Sequence, residues 1–68
     1  MSTLITNMKV FRTAFALSQE ELANKVGVRR ETIIHLERGQ YNPSLKLAMD
    51  IAKVFGKTVE EVFRFADE

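Results

Sequence analysis

The sequence predicts an all-α fold, a compact arrangement of five short helices, with a short antiparallel β-ribbon formed by the two ends of the chain. Three observations support this. Two capping boxes of the form S/T-x-x-E, Ser18 with Glu21 and Thr58 with Glu61, mark helix starts, and Gly27, Gly39 and Gly56 mark helix ends. Between those marks apolar residues recur three and four positions apart, the spacing that gives a helix one apolar face. The 68 residues contain no cysteine, repeat or linker-like stretch, so one domain over residues 1–68, held by packing alone, is expected. A chain of this size buries about 60% of its unfolded surface, which favours short elements packed closely.

The first helix is expected from about Asn7 to Phe15, with Met8, Phe11 and Phe15 on one face. Leu17 leads into the second, which starts at Gln19 because the Ser18 hydroxyl and the Glu21 carboxylate can each satisfy a free backbone amide there. Leu22, Ala23 and Val26 form its apolar face, and it ends at Gly27. The third spans about Arg30 to Arg38 and stops at Gly39. After a loop over Gln40 to Pro43, Ser44 caps a fourth helix, predicted to turn Leu45, Ala48, Met49, Ala52 and Phe55 inward and to end at Gly56. Thr58 opens a short fifth helix. Val62 to Ala66 alternates apolar and aromatic residues around Arg64, closer to a strand, and Leu4-Ile5 has similar character. The two segments are expected to pair.

Composition excludes several classes of function. Without cysteine there are no thiolate metal sites or thiol nucleophiles, and a cytoplasmic location is the default. The lone histidine, His35, has no acidic partner at a catalytic or metal-ligating spacing, so no enzyme, catalytic residue, metal or cofactor is expected. No small-molecule ligand or membrane association is suggested. Net charge is only +1, yet its distribution is uneven: seven Lys/Arg against four acids up to Lys46 give +3, and three against five from Leu47 onward give −2. Such a split suits phosphate contacts on the N-terminal part.

The stretch from Ser18 to Gly39 decides the functional reading. Two short amphipathic helices, joined by a tight turn containing glycine and with the second helix polar on its free face, have the form of a helix-turn-helix that places its second helix in the DNA major groove. At 100° per residue, Ile33, Leu36 and Arg29 fall on one side of the third helix, while Arg30, Glu31, Ile34, His35 and Arg38 fan over the other. Arg30 can fork onto a guanine, Glu31 can accept from a cytosine amino group, and Ile34 can contact a thymine methyl. His35 suits either a base or the backbone. Arg38 suits a phosphate. An apolar Ile34 between two arginines on a free face points to a contact surface rather than to ordinary solvated charge.

Leu17-Ser18-Gln19-Glu20-Glu21-Leu22-Ala23, Val26-Gly27-Val28, Thr32-Ile33, Leu36-Glu37-Arg38-Gly39 and Tyr41-Asn42-Pro43-Ser44-Leu45 together resemble the Cro/XRE family of phage-repressor-like transcription regulators. The short length with candidate strands at both ends is most similar to repressors of the cytolysin-repressor type. The resemblance implies a five-helix lambda-repressor-like domain, a terminal β-ribbon and a homodimer. It also implies that Gln19 bonds a DNA phosphate, that Arg30, Glu31 and His35 read bases, and that Arg38 and the Gln40-Tyr41-Asn42 loop touch the backbone. Arg12 and Glu37 match a family pair that forms a partly buried salt bridge. Two departures stand out. Arg29 replaces the usual Ser or Thr cap of the recognition helix, and its cationic side chain suits a phosphate instead. Ala16 replaces a common glycine after the first helix.

One recognition helix reads too few base pairs to find a unique site, so a two-fold homodimer on a near-palindromic operator, with half-sites about 34 Å apart, is expected. Val59, Val62, Phe63 and Phe65 are the expected self-contact, with Phe63 alternatively completing the core. Repression is the expected direction of control. The competing reading is a protein-interaction module, such as an antitoxin, on the same fold.

Overall fold

Three of the five helices, those that follow Ser18, Ser44 and Thr58, start where a side-chain oxygen satisfies a free backbone amide. Ser18 Oγ accepts from the Glu21 amide at 3.0 Å while the Ser18 amide donates to Glu21 Oε1 at 2.8 Å. Thr58 and Glu61 repeat the arrangement at 3.1 and 2.8 Å, and Ser44 Oγ accepts from the Leu47 amide at 3.1 Å. The backbone amides of Ser18 and Thr58, bonded to the charged form, hold the Glu21 and Glu61 carboxyls below their ordinary value. In the computed structural model, which describes residues 2–67, the order is β1 (Ser2–Thr6), α1 (Met8–Ala14), α2 (Gln19–Val26), α3 (Arg30–Glu37), α4 (Leu45–Phe55), α5 (Val59–Val62) and β2 (Phe63–Asp67). No helix among the described residues is long and apolar enough to cross a membrane.

Helix ends follow an equally simple rule. Helices α1 to α4 stop at a residue with positive φ, after which the next amide reaches back five positions to a free carbonyl, the Schellman arrangement. Leu17 N–H donates to Arg12 O, Val28 to Ala23 O, Gln40 to His35 O and Lys57 to Ala52 O, each at 3.0 Å. The turning residue is glycine in three cases. In α1 it is Ala16, at φ +56°, the one positive-φ residue other than glycine among those described.

The core draws on every element: Leu4, Met8, Leu22, Ala23, Ile33, Leu36, Leu47, Ala48, Ile51, Ala52, Phe55, Val62 and Phe63 are buried. Each fully buried aliphatic side chain contributes on the order of 1.5 to 3 kcal/mol. Ile33 and Leu36, three apart, fix which side of α3 turns inward, so its opposite side stays open. Phe11 and Phe15 pack their rings on Phe55 at 5.8 and 5.7 Å between centroids.

β1 and β2 form an antiparallel ribbon in which Leu4 opposes Phe65 and Ile5 opposes Arg64. The Asn7 amide bonds Val62 O at 2.8 Å and its side chain donates to Glu61 O at 3.0 Å, joining the strands to the helices beside them. The ribbon lies tightly on the end of α3. A side-chain carbon at Gly39 would fall 2.7 Å from the Leu4 carbonyl oxygen, so only a residue without Cβ fits there.

Four expectations are corrected. Helix α4 turns Leu47 and Ile51 inward beside Ala48, Ala52 and Phe55, and leaves Leu45 and Met49 largely exposed. Apolar residues lie on nearly every side of this helix, so spacing alone could not fix its inner face. Phe15 is half exposed rather than buried. Val62 closes α5 instead of opening the strand. Val62, expected at a dimer contact, is consumed by the core, and Phe63 takes the core alternative rather than the contact, because the turn from α5 into β2 directs both side chains inward; Phe65 stays 52% exposed and Val59 partly so.

Candidate nucleic-acid interface

Turning Ile33 and Leu36 into the core presents the remaining side of α3 to solvent, next to the start of α2 and the outer side of α1. Between them lies an open groove of about 700 Å³. Four cationic residues line it, Lys9 and Arg12 from α1, Arg30 at the start of α3 and Arg38 at its end, against one acid, Glu37. Ser18, Gln19 and Ile34 complete the wall. Four positive charges against one negative, in a groove beside a helix start whose free amides favour anions, suit a phosphate backbone.

Glu37 is the hub of the polar contacts. Arg12 Nε donates to Glu37 Oε2 at 2.6 Å and Arg12 Nη2 to Oε1 at 3.2 Å, while Arg12 Nη1 donates to the Leu17 carbonyl at 2.9 Å. The pair is largely shielded, with side chains 13% and 7% exposed. Gln19 Nε2 also donates to Glu37 Oε1, at 3.2 Å, and Arg30 Nη2 lies 3.5 Å from Gln19 Oε1.

Of the residues singled out in the sequence, Arg30, Ile34, Gln19 and Arg38 meet in the groove together with Arg12 and Glu37. Ile34 is half-buried and forms part of the groove wall. Glu31 and His35 lie outside the groove lining on α3, Glu31 exposed, and Gln40, Tyr41 and Asn42 follow beyond its end, with Gln40 and Tyr41 exposed. Arg29 precedes α3 in an extended conformation and makes no side-chain cap bond, the consequence of placing a donor-only side chain where an acceptor is needed. Lys9 escaped the sequence reading, although its place three residues before Arg12 puts both on one side of α1.

A five-helix domain that holds a short polar helix against a cationic groove, braced by the helix before it, is a helix-turn-helix DNA-binding domain of the lambda-repressor-like fold. The sequence pattern of the helix-turn-helix family matches residues 8–62, and the chain belongs to that family, among the Cro/C1-type transcription regulators. An uncharacterized helix-turn-helix transcriptional regulator of Archaeoglobus fulgidus is 59% identical over 63 residues, covering 93% of this chain and 89% of its own length. The cryptic phage CTXphi transcriptional repressor RstR of Vibrio cholerae is 34% identical over 61 residues, 90% of this chain and 52% of RstR. Among solved structures, the restriction-modification controller protein C.AhdI of Aeromonas hydrophila is 37% identical with a TM-score of 0.72, over 79% of this chain and 82% of that one. The hypothetical transcription factor NHTF from Neisseria gives a TM-score of 0.75 at 33% identity, over 81% of this chain. This chain spans 62% of NHTF and about half of RstR.

Proposed function

We propose that the protein is a cytoplasmic transcriptional repressor, acting as one DNA-binding unit over residues 1–68, that binds a near-palindromic operator as a homodimer with α3 in the major groove. The single observation that carries this reading is the open groove lined by Lys9, Arg30 and Arg38 together with Gln19 and Ile34, beside the internally paired Arg12 and Glu37. Arg30, Glu31, Ile34 and His35 read base edges. Gln19, Arg29, Arg38 and the Gln40-Tyr41-Asn42 loop bond phosphates and fix the register. Arg12 and Glu37 act as the structural pair beneath them.

Apolar surface left outside the core supports self-association. Phe65 and Val59 retain exposed area, and Val59 shares a surface groove with the exposed Met49. Two copies of a domain 33 × 22 × 20 Å across can stand side by side with their recognition helices one helical turn of DNA apart. That RstR is a phage repressor supports repression as the direction of control.

Selection of bound sequences from a random duplex pool tests the proposal, combined with affinity against salt. A two-fold symmetric site should emerge, and log affinity should fall with log salt by about 0.9 for each phosphate neutralised. An unenriched pool with salt-independent binding would refute it.

A further inference from the structure

We infer that Glu37 is a positioning residue for sequence reading: through Gln19 it holds Arg30 in place before DNA arrives, and it withholds Arg12 from sequence-blind phosphate binding. The inference rests on the DNA-binding reading above. Glu37 is the one acid lining a cationic groove and its charge is already opposed by Arg12, so its further bond to Gln19 invites an account of its own.

The contacts supply one. A carboxylate can only accept hydrogen bonds. Because Glu37 Oε1 faces the Gln19 side chain at 3.2 Å, the amide must turn its NH2 toward Glu37, which leaves Gln19 Oε1 directed at the Arg30 guanidinium, 3.5 Å away. Orientation passes from a shielded, doubly bonded carboxylate to an exposed arginine on the reading face. One N–H of the Gln19 amide stays free for a phosphate, so tether and phosphate contact are compatible. Meanwhile three Arg12 nitrogens are engaged, two by Glu37 and one by the Leu17 carbonyl, so this guanidinium is occupied by the protein itself.

The test compares the wild type with Glu37→Gln and Gln19→Leu. Glu37→Gln keeps the shape but removes the charge and one of the two acceptor oxygens. Its preference for operator over random duplex should fall about tenfold, while its salt slope on random duplex steepens by about 0.9, as the freed Arg12 neutralises one more phosphate. Gln19→Leu keeps the Arg12–Glu37 pair and cuts the tether. It should lose discrimination at the base pair read by Arg30 without any steeper slope, and it covers the case in which Glu37→Gln does not fold. The Gln19 side-chain amide resonance, followed without DNA, should shift and exchange faster in Glu37→Gln. Unchanged discrimination in folded variants, or an unmoved Gln19 resonance, overturns the inference. A wild type that binds without sequence preference would instead sink the DNA reading, and the amide resonance would then judge the tether by itself.

Discussion

Replacing Ala16 by glycine should stabilise the protein. Ala16 sits at φ +56° at the end of α1, held by bonds from its own amide to Thr13 O and from the Leu17 amide to Arg12 O, both 3.0 Å. For a residue with a Cβ this conformation costs roughly 1 to 2 kcal/mol. Glycine removes that cost but adds freedom in the unfolded chain worth roughly 0.4 to 1 kcal/mol. The net lies between about 0 and 1.6 kcal/mol, and its midpoint of about 0.8 kcal/mol raises Tm by about 3 to 6 °C for a domain of this size. Gly27, at φ +74° with nothing within 4 Å of an added Cβ, offers the reverse substitution: Gly27→Ala creates the backbone state Ala16 already has. Thermal unfolding followed by helical circular dichroism should therefore show opposite shifts of similar size. If Ala16→Gly leaves Tm unchanged or lowers it while Gly27→Ala behaves as expected, the strain assigned to Ala16 is refuted.

Arg30→Ala should cost about 1 to 3 kcal/mol on the operator and relax the base preference, whereas Arg38→Ala weakens all sequences alike; titrations on operator and random duplex separate the two, and equal losses on both DNAs from both variants would contradict the assignment. Phe65→Ser should weaken self-association at least tenfold with little change in Tm, read by sedimentation, since Phe65 is half exposed; an unaltered dimer would remove Phe65 from the interface. The Glu21 and Glu61 carboxyls titrate below their ordinary value when folded, so they stabilise above the unfolded value of about 4.3 and lose this as pH falls through the folded one. Melting between neutral and acid pH should show that loss, and Ser18→Ala, itself costing about 1 kcal/mol, should make it smaller. Gly39→Ala should cost about 1 to 3 kcal/mol more than Gly27→Ala, because its Cβ meets the Leu4 carbonyl rather than open space; amide exchange in the ribbon should accelerate, and an unaffected ribbon would show that α3 yields instead.

Most of the fold could be read from residues whose effect is local. Ser18, Ser44 and Thr58 set helix starts through a hydroxyl three residues from the amide it serves, and Gly27 and Gly56 set ends through φ alone, so their signals survive without tertiary context; Gly39 adds to its φ the close approach of Leu4. The inner face of α4 could not be read this way. With Leu45, Leu47, Met49 and Ile51 all apolar, the choice fell to what α2 and α5 could cover. The burial of Val62, and the choice left open at Phe63, have a related cause: a surplus of apolar residues in a short segment reads alike whether it fills an interior or coats a surface. In the groove, α3 declared its own side chains, but Lys9 and the Gln19–Glu37 bond depend on how α1 and α2 lie against it, which no single segment records.

The ribbon has a consequence for the order in which the molecule comes apart. Helices α2 and α3 join near neighbours in sequence, whereas β1 and β2 join positions some sixty residues apart. Closing so long a loop has to wait until the helices have drawn its ends together, so this seam is sewn last and parts first. The Leu4 carbonyl rests against Gly39, so opening of the ribbon uncovers the residue that ends α3, while Leu36 in the core and the Arg12–Glu37 pair still hold the helix.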